Sequence, residues 1–215
     1  MAKILCISDT HGRHHEIPQE WLEDADIIIH AGDISNMGRD TEIYDFCDWF
    51  SSLRQYKHKI FIAGNHDWGF ELEPIDSTRI VRAFPNITYL QDSSVTVEGL
   101  KIYGSPWQPE FCRWAFNLPR NGEQIEEKWN AIPNDTDILI THGPAWGMLD
   151  IAPGNLRVGC EILTEKIKNS KVRTHICGHI HCSYGEAMRD WTHYINAATL
   201  NERYEVQNPP IIFEI

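Results

Sequence analysis

The sequence contains no CxxC pair, no internal repeat and no low-complexity stretch, and no apolar run approaches the roughly 18 residues of a membrane span. Each absence excludes something. Cys6, Cys47, Cys112, Cys160, Cys177 and Cys182 follow no disulfide framework and read as reduced thiols in a reducing compartment. The N-terminus enters a strand directly, with no charged segment followed by a long apolar one, so the cytoplasm is expected and a membrane is not. Positive charge is also scarce: 19 Lys and Arg stand against 31 Asp and Glu, a formal net charge of −12. Such a surface repels polyanions at long range, which makes extended nucleic acid a poor partner. A small phosphate ester is not excluded, because bound divalent metals reverse the local field. Part of the acid excess then reads as ligands awaiting cations.

What is present suits an ordinary globular protein. At 215 residues, 42% hydrophobic and 23% charged, the chain can bury a sizeable core, and a single domain over 1–215 is expected. Short apolar runs recur, each ending in a polar turn. Residues 3–8 lead to Asp9-Thr10-His11-Gly12, 26–30 to Ala31-Gly32-Asp33, and 59–63 to Gly64-Asn65-His66-Asp67. Residues 137–141 lead to His142-Gly143-Pro144, and 172–177 to Gly178-His179-Ile180-His181. Continuous apolar runs of this length read as strands buried on both faces. Ile43, Phe46, Cys47 and Phe50 recur at helical spacing and predict a helix over 40–55; 122–131 and 158–169 read similarly. Residues 94–97 and 100–103 flank Glu98-Gly99, a hairpin signal. Residues 192–195 and 211–215 read as late strands. The sum is a mixed α/β fold with two sheets. Segments 104–120 and 143–157 carry no clear element, and long loops in compact domains are often functional.

In an α/β sheet, ligands bind at the carboxyl ends of the strands. One Asp after a strand is ordinarily a turn or cap residue. Five strand ends bearing Asp, His or Asn, with Gly12, Gly32, Gly64, Gly143 and Gly178 beside them, point instead to a shared site where backbone must approach closely. The residue types suit phosphate ester hydrolysis, which needs a nucleophile near neutral pH and neutralised phosphoryl oxygens. Two divalent metals roughly 3.5–4 Å apart supply both, with a carboxylate bridging them. Asp and His donors without Cys favour Mn, Fe or Zn over Mg or Ca.

In order and spacing these motifs resemble the calcineurin-like metallophosphoesterases over about 170 residues. The segments 101–107, 116–120, 141–144, 157–160, 194–197 and 208–213 are similar to its metallophosphoesterase-domain-containing subfamily, over nearly the whole chain. The resemblance implies the calcineurin-like phosphoesterase fold, two mixed β-sheets packed as a sandwich and flanked by helices. It also implies two divalent ions, Mn2+ first with Fe or Zn as alternatives. Asp9, His11 and His181 would hold one ion, Asn65, His142 and His179 the other, and Asp33 would bridge them. Asn65, His66 and His181 would face the substrate, and His66 would stabilise or protonate the leaving oxygen. The subfamily hydrolyses cyclic nucleotides, so a phosphodiesterase acting on small phosphodiesters is expected. A phosphomonoesterase or short-oligonucleotide nuclease on the same metals, or a non-catalytic binding module, are the alternatives.

Two positions depart from the pattern. Many members carry an Asp three residues after the bridging Asp, which orients the catalytic His; here Asn36 stands there, and an amide stabilises an imidazolium less well. Some animal members have Gly where this chain has His179, so the Gly-His-x-His motif is complete here. Among other residues, His14, His15, His58 and His193 read as surface, and His30 and His175 as core. Trp107, Phe111, Trp114 and Phe116 read as a cover over one sheet, with a wall for a nucleobase as the alternative. Arg113 and Arg120 read equally as phosphate contacts or solvated side chains.

Overall fold

Alternation of side chains along the apolar runs decides the architecture. The structure is a computed structural model describing all 215 residues. In chain order its elements are β1 (Lys3–Ile7), β2 (Ile27–His30), α1 (Asp40–Ser52), β3 (His58–Phe61), α2 (Trp68–Leu72), α3 (Pro74–Arg82), β4 (Thr88–Tyr89), β5 (Ser93–Val97), β6 (Leu100–Ser105), β7 (Gln108–Pro109), β8 (Asn117–Leu118), α4 (Glu123–Asn130), β9 (Ile138–Thr141), β10 (Ile151–Ala152), β11 (Leu156–Arg157), α5 (Glu161–Lys168), β12 (Thr174–Cys177), β13 (Gly185–Arg189), β14 (Thr192–Asn196) and β15 (Ile211–Glu214).

One sheet has the order β15-β1-β2-β3-β4, the other β13-β14-β12-β9-β6-β5. The central strands of both pair in parallel; β15, β13 and β5 pair antiparallel at the edges. Because strand side chains alternate, each strand feeds two cores. Ile4, Cys6, Ile27, Ile29 and Ile60 meet Ile102, Ile138, Ile140, Ile176 and Ile195 between the sheets. The alternate residues Leu5, Ile7, Ile28 and Phe61 pack on Ile43, Phe46, Phe50 and Phe70 of the α1–α2 layer. Tyr103, Leu139 and Tyr194 pack on Ile125, Trp129, Leu163 and Ile167 of α4 and α5. The result is the expected mixed α/β sandwich, with helices outside both sheets.

The structure corrects several expectations. The segment 104–120 closes a short ladder, β7 with β8, and 143–157 closes another, β10 with β11. Buried Asp150 clamps the second, accepting from Gly147 N at 2.9 Å and from Arg157 Nη1 at 2.6 Å. His14 is no surface residue: its ring is buried against Phe46 and Trp49. It sits on a single turn, where no periodicity reveals burial. The central aromatics divide: Phe116 is core and Trp107 packs beside it, whereas Phe111 is exposed. Arg120 binds the Val158 and Gly159 carbonyls and Glu161, so it braces a loop. No helix is long and apolar enough to cross a membrane, and all six cysteines are unpaired.

Candidate metal centre

The carboxyl ends of β1, β2 and β3 in one sheet and of β9 and β12 in the other meet at one edge. Three donor groups form there: Asp9, His11 and His181; Asp33, His142 and His179; and His11, Asp33 and His66. Within each group the ligand atoms lie within 4.8 Å of one another. Asp33 Oδ2 lies 3.3 Å from His142 Nε2 and 3.6 Å from His11 Nε2. Asp9 Oδ1 lies 3.5 Å from His181 Nε2, and Asn65 Oδ1 lies 2.9 Å from His142 Nε2. All seven expected donors are therefore brought together. His66, expected to face substrate, is itself within donor range of His11 and Asp33.

The rings are set by backbone carbonyls. His142 Nδ1 donates to Ala31 O at 3.0 Å, His181 Nδ1 to Asn201 O at 3.0 Å, and His66 Nδ1 to Asn36 O at 2.9 Å. A carbonyl only accepts, so Nδ1 carries the hydrogen and Nε2 is turned to the centre, the tautomer a metal ligand needs. The third bond shows what holds His66 in place of a carboxylate. Its backbone carbonyl holds His66, a contact blind to residue identity, while its side-chain amide donates to His11 O at 2.9 Å. His11 is buried, yet neither ring nitrogen has a hydrogen-bond partner. Buried polar atoms are rarely left so, and a cation held with Asp9 and Asp33 would satisfy it. The donors present fit divalent metals.

The chain bends sharply to achieve this. Asp9, His11, Asp33 and His179 have φ of 52°, 44°, 55° and 66°. Left-handed backbone costs a side-chain-bearing residue about 1–3 kcal/mol, so the surroundings must hold it. His179 N donates to both Asp9 oxygens at 3.0 and 2.9 Å, and His66 N to Asp33 Oδ1 at 2.8 Å. Asp67, fully buried and not singled out from the sequence, ties the β2 and β3 turns together. It accepts from Gly64 N (2.8 Å), Ile34 N (3.2 Å), Ser35 N (3.0 Å) and Ser35 Oγ (2.6 Å). Burial, backed by the charge of Asp33, pushes its carboxyl up to about 7 against the pull of those donors. Gly178 permits the closest approach: a Cβ there would fall 2.0 Å from Asp9 Oδ2.

Burial alone would raise the two carboxyls. For Asp33, His142 and then His11 overrule it, and for Asp9, His181 and then His142 do, so both stay well below the usual range. Burial would lower His142 and His181, but Asp33 lifts the first to about 9 and Asp9 the second to about 8. Burial prevails at His11, down to about 4, and at His179, down to about 3. Two carboxylates and two imidazolium protons thus balance one another, and incoming cations would displace those protons.

Aromatic rings line the approach. Trp114 stacks on His66 with centroids 4.0 Å apart, and Tyr204 lies 4.8 Å from His11 and 5.4 Å from His181. A cleft of about 740 Å³ opens beside the centre, bordered by Phe111, Trp146, Arg157, His179, His181 and Tyr204.

Two packed sheets with Asp and His gathered at their shared carboxyl edge define a protein class, and the sequence comparisons agree. The profile described as calcineurin-like phosphoesterase matches residues 2–183. The chain belongs to the calcineurin-like phosphoesterase family, and with it to the metal-dependent phosphoester hydrolases. It is 41% identical over 236 residues to the human Metallophosphoesterase domain-containing protein 1, spanning all of this chain and 71% of that protein. It is 36% identical over 225 residues to UPF0046 protein K07C11.7 of Caenorhabditis elegans, spanning 99% of this chain and 75% of that protein. The structure of TT1561 from Thermus thermophilus superposes with a TM-score of 0.65 at 14% identity, over 91% of this chain and 88% of that one. At that identity the likeness is one of fold.

Proposed function

We propose that the chain is a dinuclear-metal phosphodiesterase acting on small phosphodiesters, cyclic nucleotides first. The observation that carries this reading is the place of Asp33. Its carboxylate belongs to two donor groups at once, as a bridging ligand must. Asp9, His11 and His181 would hold one ion and Asn65, His142 and His179 the other, with Mn2+ expected and Fe or Zn as alternatives. The bound ions supply a water activated near neutral pH and neutralise the phosphoryl oxygens. His66, its Nδ1 bound to Asn36 O and its face against Trp114, presents Nε2 to protonate the leaving oxygen. Asn65 and His181 border the phosphate position. The cleft has the size of a small-molecule site. Phe111 and Trp146 on its wall suit a base, whereas a net charge of −12 disfavours a nucleic-acid polymer. Six unpaired thiols, four of them buried, suit a reducing, cytoplasmic setting.

The test is turnover by the Mn2+-loaded chain on 3′,5′- and 2′,3′-cyclic nucleotides, bis(p-nitrophenyl) phosphate and p-nitrophenyl phosphate. Diesters should turn over faster than the monoester. A preference for the monoester would overturn the diester reading. Two bound metals with no turnover on any substrate would favour a binding module.

A further inference from the structure

One cluster of donors lies outside that centre. The turn His14–Glu16 sets two consecutive imidazoles against Asp45 of α1. His14 Nε2 lies 3.1 Å from Asp45 Oδ2, and His15 Nε2 lies 3.3 Å from Asp45 Oδ1. The three donor atoms are within 4.8 Å of one another. A tetrahedral zinc ion with bonds of about 2.0–2.1 Å separates its ligand atoms by about 3.3–3.4 Å. The two separations, one to each Asp45 oxygen, are close to that edge, and the third lies within 4.8 Å, so small side-chain rotations would bring the three donors onto one ion.

His14 supplies an independent observation. Its side chain is fully buried, with the ring 4.8 Å from Trp49 and edge-on to Phe46 at 5.7 Å. Neither of its nitrogens has a hydrogen-bond partner; the Asp45 carboxylate is near but poorly aligned to accept. Buried polar atoms in that state are rare, and a cation between His14 and Asp45 would use the lone pair of one of them. The surroundings favour positive charge. Asp45 shares a hollow on α1 with Asp40 and Asp48, and its only ion-pair partners are the two histidines.

We propose that His14, His15 and Asp45 form a separate binding site for a divalent transition-metal ion, completed by water. Two imidazoles and one carboxylate select a borderline ion such as zinc over the oxygen-seeking magnesium and calcium. The ion would fasten the turn that follows His11 onto α1, and the site stands independently of the phosphoesterase reading.

The experiment is equilibrium dialysis of the chelator-stripped full chain against micromolar free zinc, comparing wild type with His15→Gln and Asp45→Asn. Both altered side chains are more than half exposed, so the fold should persist, and circular dichroism checks it. Each variant should hold one zinc per chain fewer than wild type. That difference does not depend on how many ions the Asp33 centre takes. The same subtraction, Asp33→Ala against Asp33→Ala/Asp45→Asn, should again give one zinc. Equal zinc content within both pairs would overturn the site.

Discussion

Replacing Gly178 with Ala tests the geometry of the centre most sharply. An added Cβ would meet Asp9 Oδ2 at 2.0 Å, Ser8 Oγ at 2.1 Å and Ser8 Cβ at 2.7 Å. The backbone of Gly178 is not left-handed, so the effect is one of space alone. Real Cβ atoms essentially never come closer than 3.0 Å, so something must move by about 1 Å. Asp9 cannot yield freely: it is fully buried, and both its oxygens are bound by His179 N. Either the Asp9 carboxylate turns away, or the end of β12 retreats with His179. Both outcomes displace a donor, and a misplacement of about 1 Å costs on the order of 10²-fold in rate. Overpacking of this kind costs about 1–3 kcal/mol of stability. Gly178→Ala should therefore stay folded, with a lower urea midpoint, weaker Mn2+ retention and turnover of bis(p-nitrophenyl) phosphate reduced by about that factor. Gly143→Ala is the control. It also adjoins a ligand, His142, but its Cβ would meet nothing nearer than Gln108 Cβ at 3.2 Å. Turnover and metal content within twofold of wild type in Gly178→Ala would refute the reasoning.

Asp33→Ala should lose both ions, since it removes the shared carboxylate; elemental analysis showing two metals per chain would end the bridging assignment. His179→Gly should weaken one ion and lower activity at limiting metal, with partial rescue by excess; wild-type activity at low metal would contradict its role. His66→Ala should keep its metals and lose about 10²–10⁴-fold in turnover for an alkoxide leaving group, with a smaller loss for p-nitrophenolate. Unchanged rates on both would remove His66 from the chemistry, and lost metal would make it a ligand beside His11 and Asp33. His175, buried and bonded to Thr141 Oγ1, is held by burial down to about 3, below its ordinary 6.5. The unfolded chain thus takes up a proton below 6.5 that the folded chain refuses until about 3. Stability falls as pH falls through that window, by about 1.4 kcal/mol per unit from this group. Between pH 7 and 5, urea unfolding of wild type should lose about 2 kcal/mol more than that of His175→Gln; equal losses would remove His175 from the acid response.

The strand ends were legible because two signals coincide there: an apolar run long enough for a doubly buried strand, and a metal-donor side chain at its close. The hairpin was legible from Glu98-Gly99, and both residues do take positive φ, 50° and 77°. The stretch holding α2 and α3 went unread, since Gly69 and Pro74 interrupt any helical stripe. The edge strand β13 is largely exposed and holds no buried apolar run to detect. Asp67 was passed over because an Asp after a turn resembles a cap, and only the fold shows its four donors converging from two turns. The hold on His66 is not readable from the residue type at 36, because that contact runs through the backbone carbonyl. The left-handed backbone at Asp9, His11, Asp33 and His179 carries only a weak signal, because Asp and His are enriched in that region without requiring it.

The seven donors are divided between the halves of the sandwich. Asp9, His11, Asp33 and Asn65 follow strands of one sheet, while His142, His179 and His181 follow strands of the other. Each of the two proposed donor sets draws on both halves, so the centre straddles the seam. An ion seated there would act as a rivet: for one sheet to slide over its neighbour, metal–ligand bonds would have to break. A growing chain that has reached only residue 130 has made four of the donors and neither complete set. If the centre takes the two proposed ions, the second sheet must form and dock before both can settle, and metal occupancy would be a late marker that the two halves have closed in register.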